Sequence, residues 1–126
     1  MPTSFAENGT RWRALRSPNL VIRPAERRVL ANGRPLPITA REFETLLALA
    51  ERRNRVVPRP ELYEIIWGRP MSKRDRSVDV SVRRVRKKLH DAAPEWAYIH
   101  THSGIGYRFA PQRLPDPAQR APSPPE

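Results

Sequence analysis

The sequence has no cysteine, which excludes disulfide bonds and cysteine-ligated zinc sites. It also has no apolar run near the ~18 residues that a transmembrane helix needs. Its N-terminus, MPTSFAENGTRWRALR, has no apolar stretch of the signal-peptide type. These absences are compatible with a reducing cytoplasm, so we expect a cytoplasmic protein with no membrane partner.

Signatures of catalysis are missing as well. Gly104 and Gly106 are too close together for a phosphate-cradling loop, and they lie in a predicted hairpin. The serine, histidine and aspartate residues show no nucleophile elbow. His100 and His102 point to the same face of a predicted strand, yet no nearby Cys, Asp or Glu supplies a third metal ligand. A structural role or a phosphate contact suits these histidines better, and we predict no enzyme activity, no cofactor and no metal site.

Acidic residues are scarce relative to basic ones. The 126 residues include 24 Lys and Arg but only 13 Asp and Glu, which gives a formal net charge of +11. A positive field of this size favours polyanions such as DNA, RNA or an anionic membrane surface, although it does not specify a fold. The length and the 38% hydrophobic content allow one domain with a modest core.

The composition divides the chain into three segments. Residues 11–110 are predicted to fold as one domain, and residues 1–10 to be a disordered N-terminus. Residues 111–126, PQRLPDPAQRAPSPPE, contain six prolines and almost no large apolar groups. Such a composition cannot bury enough surface to offset the entropy of ordering, so a disordered tail is predicted.

Short strands are predicted between residues 12 and 38. The runs RVLANG and RPLPI flank Asn32-Gly33, a dipeptide that favours a tight hairpin turn because both residues tolerate positive φ. Pro24, Pro35 and Pro37 argue against a central strand. We therefore expect a small antiparallel sheet that is rich in edges.

The periodicity then changes to that of helices. Thr39 and Glu42 form a capping-box pattern at the start of a first helix. Its apolar residues recur at i, i+3, i+4 and i+7, and they are Phe43, Leu46, Leu47 and Ala50. A second helix is predicted to begin near Pro60, to reach Trp67 and to end at Gly68. One face of it carries Leu62, Ile65 and Ile66.

A third helix is predicted at residues 75–90, and it combines a narrow apolar stripe with concentrated positive charge. The stripe consists of Val78, Val82, Val85 and Leu89. Eight cations and two anions lie between Lys73 and Lys88, so like charges repel each other at i,i+4, as Arg83 and Lys87 do. A polyanion would relieve this repulsion. The helix alone leaves nucleic-acid binding and an ordinary solvated face both open, whereas the whole-chain charge and the helix-turn-helix spacing favour the first.

Four ordered blocks resemble the winged-helix effector domain of OmpR/PhoB-type response regulators. They are ITAREFETLLALA in the first helix, VVPRPELYEIIWG in the second, RSVDVSVRRVRKKL in the third and IHTHSGIGYRF in a terminal hairpin. The resemblance spans residues 20–110. It implies an α+β winged helix-turn-helix fold, with an N-terminal four-stranded antiparallel sheet, three helices and a C-terminal β-hairpin wing.

The resemblance also implies a function, namely sequence-specific binding of double-stranded DNA and regulation of transcription. It places the third helix in the major groove and the wing on the adjacent minor groove or backbone. The residues that it places at the DNA are Arg76, Ser77, Val80, Ser81, Arg83, Arg84, Lys87, Thr101, His102, Ser103 and Tyr107.

Within this set the implied roles differ. Arg84 is expected to contact a base, as a bidentate donor to guanine. Arg76, Ser77 and Arg83 are expected to hold phosphates. Val80 is an aliphatic residue among charges and would suit a thymine methyl group.

The wing departs from the family pattern. Thr101 and Tyr107 are implied to contact the DNA backbone, but Ser103 stands where the family usually has an arginine that enters the minor groove. His102 stands beside it in place of a small aliphatic residue. We expect His102 or Arg108 to replace that arginine only in part.

The resemblance implies further partners. RNA polymerase is expected at the loop before the third helix, through Arg69, Met71, Ser72, Lys73 and Arg74. A second copy is expected on tandem half-sites, and the location is the bacterial cytoplasm, on the nucleoid. Regulators of two-component systems carry an N-terminal receiver domain, for which residues 1–19 are too few. The chain is therefore interpreted either as an excised effector domain or as a stand-alone regulator.

Two alternatives from other function classes stay open on sequence alone. The Pro-rich tail, which ends in PSPPE, would suit an aromatic groove on a partner, as in a protein-interaction module. The basic helix would also suit a non-specific binder of DNA or RNA.

Overall fold

The computed structural model describes residues 13–115, so the predicted N-terminal segment 1–10 and residues 116–126 of the predicted tail lie outside the described residues. Within that part of the chain, a four-stranded antiparallel sheet is followed by three helices and a C-terminal hairpin. This order confirms the predicted α+β winged-helix architecture.

The N-terminal sheet contains β1 (Leu15–Ser17), β2 (Leu20–Arg23), β3 (Arg28–Ala31) and β4 (Arg34–Pro35), paired in that order. The predicted turn lies between β3 and β4, where Asn32 and Gly33 both have positive φ. The Asn32 amide donates to the carbonyl of Ala92, at the end of the third helix, over 2.9 Å. The turn that closes the sheet therefore also attaches it to the rest of the domain.

The first two helices begin as their sequences predict, and the second also ends at its predicted residue. The first helix, α1 (Ala40–Glu51), starts at Thr39, whose hydroxyl accepts from the backbone N–H of Glu42, while the Glu42 carboxylate accepts from the backbone N–H of Thr39. The second helix, α2 (Arg59–Trp67), ends at Gly68, which has a φ of 76° that favours glycine.

One predicted core position of α2 is corrected. Ile65 is 39% exposed, and Leu62 and Tyr63 are the buried residues of this helix instead. Trp67 is half-buried and stacks on the Tyr63 ring with centroids 4.5 Å apart. The helix is short, and the elements packed against it cover only some of its apolar side chains.

The third helix, α3 (Ser77–Ala92), begins and ends two residues later than predicted. Asp75 stays outside it because its carboxylate accepts from the backbone N–H of Ser77 over 2.8 Å. The predicted apolar stripe is confirmed, since Val78, Val82, Val85 and Leu89 are all buried. These residues pack in one core with the buried side chains of α1.

A second sheet forms at the C-terminal end, in the order β5-β7-β6, from β5 (Val56–Pro58), β6 (Trp96–His102) and β7 (Gly106–Arg113). The sequence predicted only an extended link at Val56 and Val57, but these residues pair with β7. The pairing is so close that a Cβ on Gly106 would lie 2.0 Å from the Val57 carbonyl oxygen. Only glycine fits at this base of the hairpin.

The end of the folded domain is also corrected. β7 continues to Arg113, three residues beyond the predicted boundary at residue 110. Arg113 pairs with Trp96, and the backbone N–H of Leu114 donates to the Glu95 carbonyl over 2.7 Å. Trp96 begins β6 and Glu95 directly precedes it, so the first residues of the Pro-rich segment are part of the sheet.

Candidate nucleic-acid interface

The side of α3 that faces away from the core carries most of the residues that were predicted to contact DNA. Its reading face consists of Arg76, Ser77, Val80, Arg83, Arg84 and Lys87. All of these are exposed except Ser77, which is half-buried. Val80 is 38% exposed although it is aliphatic, so an apolar patch lies among the cations. The docked stripe on the other side of α3 holds this face at the surface.

Ser81 does not belong to the reading face, which corrects its predicted role at the DNA. It is 5% exposed, and its hydroxyl lies 2.7 Å from the hydroxyl of Thr45 on α1. The Thr45 hydroxyl in turn lies 2.8 Å from the Arg41 carbonyl, to which it donates. Ser81 is therefore a polar link in the contact between α1 and α3, because its position on the helix lies beside the buried stripe.

The cations of α3 are not equally available. The Lys88 amine lies 2.6 Å from the Glu42 carboxylate, and the Lys87 amine lies 3.1 Å from the Asp91 carboxylate. Arg83 and Arg84 form no salt bridge among residues 13–115. Internal pairing thus removes part of the repulsion that the sequence indicated. Arg83 and Arg84, at the middle of the reading face, therefore keep their charges free of internal partners among these salt bridges.

Glu42 fixes Lys88 against α1. Burial raises the pKa of the Glu42 carboxyl, but hydrogen bonds from Lys88 and Thr39 outweigh that effect, and the pKa lies below its ordinary value. The Glu42 carboxylate is therefore ionised at neutral pH. Lys88 is consequently half-buried and held against α1, whereas Arg84, one turn earlier, is exposed.

The wing is the hairpin of β6 and β7, and its tip is exposed. Ser103, Gly104 and Ile105 form the turn, and Ile105 is 54% exposed. Thr101 is exposed on β6, whereas His102 is half-buried and its Nε2 accepts from the Arg108 Nε over 3.0 Å. Thr101 and Ser103 therefore lie where a duplex could reach them.

Tyr107 is not at the surface of the wing, which corrects its predicted contact with the DNA backbone. Its side chain is 4% exposed, and its hydroxyl donates to the carboxylate of Asp79 on α3. The same carboxylate accepts from Arg59 Nε over 2.7 Å. Burial raises the pKa of Asp79, but the bonds from Tyr107 and Arg59 outweigh that effect and hold the pKa below its ordinary value.

Three residues at this junction were missed in the sequence, namely Arg59, Asp79 and Arg86. Arg86 donates to the Thr101 hydroxyl over 2.7 Å, and its guanidinium lies 5.7 Å from the centre of the Tyr107 ring. The one available signal was Asp79, an acid among the cations of a helix predicted to bind a polyanion. Its partners come from distant parts of the chain, which the local pattern does not reveal.

An open groove of about 390 Å³ runs between the start of α1 and the first half of α3. Arg41 lies over the Trp67 ring at 4.6 Å along its border, which gives this border both an apolar surface and a positive charge. The groove is lined by Thr39, Arg41, Glu42, Trp67, Arg76, Ser77, Val80, Ser81 and Arg84. It therefore continues the reading face toward α1.

The loop between α2 and α3 is largely exposed. Arg69 donates to the Tyr63 hydroxyl over 3.2 Å, and Met71 is half-buried against the core. Ser72, Lys73 and Arg74 are exposed. The loop thus presents cations beside the reading face while Met71 attaches it to the domain.

Within residues 13–115, no cluster of three or more His, Cys, Asp and Glu residues is arranged to hold a metal ion. The His100 Nε2 lies 2.7 Å from the Ala110 carbonyl, which gives that ring a partner inside the hairpin. None of the helices in this part of the chain has the length and apolar character that a membrane span requires.

Comparison with known families identifies the type of domain. Residues 33–109 match the family described as "Transcriptional regulatory protein, C terminal". The chain belongs to this family. It is a family of transcriptional regulators and not of enzymes, and the matched segment contains α1, α2, α3 and most of the wing.

Similar proteins agree with this assignment. The DNA-binding domain of RstA from Klebsiella pneumoniae, solved in complex with the RstA box, is 34% identical with a TM-score of 0.71, over 78% of this chain and 97% of that one. DrrB of Thermotoga maritima, an OmpR/PhoB homolog, is 35% identical with a TM-score of 0.66, over 77% of this chain and 44% of DrrB. The resemblance to OmpR/PhoB-type effector domains is confirmed.

A curated relative is longer than this chain. The uncharacterized transcriptional regulatory protein YclJ of Bacillus subtilis is 37% identical over 89 residues, which cover 70% of this chain and 38% of YclJ. The chain therefore spans little more than a third of the length of that regulator.

Proposed function

We propose that this chain binds double-stranded DNA sequence-specifically and regulates transcription. In this proposal α3 lies in the major groove, and the wing lies on the adjacent minor groove or backbone. The observation that carries it is the reading face, a docked helix on which unpaired Arg83 and Arg84 lie with the exposed Val80. The structure of the similar RstA domain in complex with the RstA box supports the same partner.

The reading face divides into base contacts and phosphate contacts. Arg84 donates two hydrogen bonds to the O6 and N7 of a guanine, because its guanidinium forms no salt bridge with any residue from 13 to 115. Val80 contacts a thymine methyl group. Arg76, Ser77 and Arg83 bind phosphates on either side of the groove. Lys87 also binds a phosphate, and to do so it exchanges the exposed carboxylate of Asp91 for the phosphate.

The wing supplies a weaker contact. Thr101 already accepts a hydrogen bond from Arg86, so its own O–H remains available to donate to a phosphate oxygen. Ser103 lacks the positive charge that a narrow minor groove attracts. The Nε2 of His102 accepts from Arg108, so its other ring nitrogen, Nδ1, is the one that can donate to a phosphate. The wing therefore adds to affinity without strong selection of the flanking sequence.

Two further partners belong to the proposal. The exposed loop with Arg69, Ser72, Lys73 and Arg74 contacts RNA polymerase, and half-buried Met71 keeps that loop in place. Two copies of the chain bind tandem half-sites in the same orientation, in the cytoplasm and on the chromosome.

The proposed function is tested by selecting bound duplexes from a random pool at physiological salt. We expect one enriched motif that contains a guanine, with half-sites about 10 base pairs apart when two copies bind. Recovery of duplexes without any motif would instead support the non-specific binder. Such binding would still fall steeply with added salt, because it would rest on phosphate contacts alone.

A further inference from the structure

Asp79 is a negatively charged residue beside the positively charged reading face. It lies in the first turn of α3, between Arg76 and Val80, at a position next to the proposed DNA. A carboxylate there repels phosphates, so charge alone predicts that it weakens binding. Its side chain is 29% exposed and is surrounded by donors from other elements.

Two of these donors come from outside α3. Arg59, the first residue of α2, donates to the Asp79 carboxylate over 2.7 Å, and its backbone N–H donates to the carbonyl of Ile105 at the wing tip over 3.1 Å. Tyr107 of β7 donates its hydroxyl to the same carboxylate oxygen. The Arg59 guanidinium also lies 5.0 Å from the centre of the Tyr107 ring. A single carboxylate thus joins α2, α3 and the wing.

A second attachment lies further along α3. Arg86 donates to the Thr101 hydroxyl over 2.7 Å and covers the outer side of the Tyr107 ring. Asp79 and Arg86 are seven residues apart, a distance of about 10 Å along a helix. Two attachments at this separation, added to the pairing of β5 with β7, hold the wing at one angle relative to α3.

We infer that Asp79 is a positioning residue, which sets the angle of the wing relative to α3 and thereby strengthens specific DNA binding in spite of its charge. This inference rests on the proposed function, because it concerns the simultaneous contact of α3 and the wing with one duplex. Preorganisation of this kind raises affinity by removing the ordering entropy that a pivoting wing would lose on binding.

The test is Asp79→Asn in the full chain, with Asp91→Asn as the matched control. Both substitutions remove one negative charge from α3, but Asp91 is 61% exposed and bonds only with Lys87 among the described residues. Affinity is measured by fluorescence anisotropy for the duplex selected from the random pool and for a scrambled duplex. We expect Asp79→Asn to weaken binding to the selected duplex about tenfold, whereas Asp91→Asn strengthens binding to both duplexes slightly.

Hydroxyl-radical footprinting separates positioning from a general loss of structure. In Asp79→Asn the protection at the wing flank should fade while the protection around α3 remains. Tyr107→Phe removes only the hydroxyl that reaches Asp79, so it should reproduce this pattern, and the double variant should bind no more weakly than Asp79→Asn alone. Thermal unfolding identifies the temperature at which every variant is folded.

Two results would overturn the inference. One is that Asp79→Asn strengthens binding as Asp91→Asn does. The other is that it weakens the contacts of α3 and of the wing equally. If the proposed function itself is wrong, the result is different: the unaltered chain enriches no motif in the selection from the random pool.

Discussion

The recognition helix α3 and the wing face the same proposed duplex, but they differ in how their side chains are used. On α3 the side chains of Arg83 and Arg84 form no salt bridge within the described residues, so they are available to bind a ligand. On the wing, Tyr107 and Thr101 are already bonded to α3, and His102 is bonded to Arg108.

This difference indicates a division of labour. The arginines at the middle of the reading face form no salt bridge within the described residues and so can bind the duplex, which suits sequence readout. On the wing, most of these polar groups are bonded to α3 instead, which suits a role in setting the position of the wing. Substitutions on the reading face of α3 should therefore change binding with little change in stability, and substitutions at the base of the wing should change both.

The largest effect is expected at the base of the wing. Gly106→Ala places a Cβ 2.0 Å from the Val57 carbonyl oxygen, so β5 and β7 must separate. We expect a loss of about 3 kcal/mol in the free energy of unfolding, measured by urea denaturation. Gly104→Ala is the control, since a Cβ there meets no atom within 4 Å and only the positive φ of 77° is strained. Its expected loss is about 1 kcal/mol, and equal losses in the two variants would show that the base of the wing is not tightly packed.

Arg84→Ala should produce the next largest effect, and it should appear in binding alone. We expect the preference for one base pair of the selected duplex to fall by ~1–3 kcal/mol while the unfolding free energy stays the same. Lys87→Ala is the control on the same face, and it should weaken binding to all duplexes alike and lower the dependence on salt. Competition assays with single-base variants of the duplex measure both. If the base-pair preference of Arg84→Ala is unchanged, then Arg84 does not recognise a base pair.

The buried pair of Glu42 and Lys88 should make stability depend on pH. Because the pKa of Glu42 in the folded state lies below its ordinary value of 4.5, the ionised carboxylate stabilises the fold at neutral pH, and this contribution is lost as the pH falls through the lowered pKa. Lys88→Met should therefore lower stability by about 1–2 kcal/mol at pH 7 and by much less at pH 3. Lys87→Met, at an exposed pair, should change stability little at either pH. Urea midpoints at the two pH values test this, and a Lys88→Met penalty that persists at pH 3 would contradict it.

The smallest effect is a gain at the wing tip. Ser103→Arg introduces a positive charge at an exposed position, where a narrow A·T-rich minor groove attracts it. We expect about threefold tighter binding to sites with A·T-rich flanks, and a smaller gain on G·C-rich flanks. An equal gain on both flanks would indicate a phosphate contact, and no gain would place the wing away from the minor groove.

Features that depend on nearby residues could be predicted from the sequence, whereas features that depend on distant residues could not. The helices follow from local patterns: the capping box at Thr39, the valine stripe of α3 and the glycine at position 68 each depend on neighbours a few residues away. The roles of Ser81 and Tyr107 depend on Thr45 and Asp79, which are 36 and 28 residues distant. The family resemblance placed both residues at the DNA, but only tertiary contacts showed that both are turned inward.

Strand boundaries were missed for a similar reason. β5 and the end of β7 have weak strand patterns of their own, and the backbone bonds that they form with other strands define them. A proline begins the Pro-rich segment at position 111, yet the strand continues through it. Composition therefore placed the end of the domain too early, because pairing with β6 compensated for an unfavourable local sequence.

The most direct test of the central claim is methylation of guanine N7 on the selected duplex, with and without the protein. The account predicts that one guanine in the major groove is protected by the unaltered chain, and that it becomes reactive again when Arg84→Ala is bound at saturation. Protection that is the same with Arg84→Ala, or no protected guanine at all in a tightly bound duplex, would contradict the proposal that this helix reads bases through Arg84.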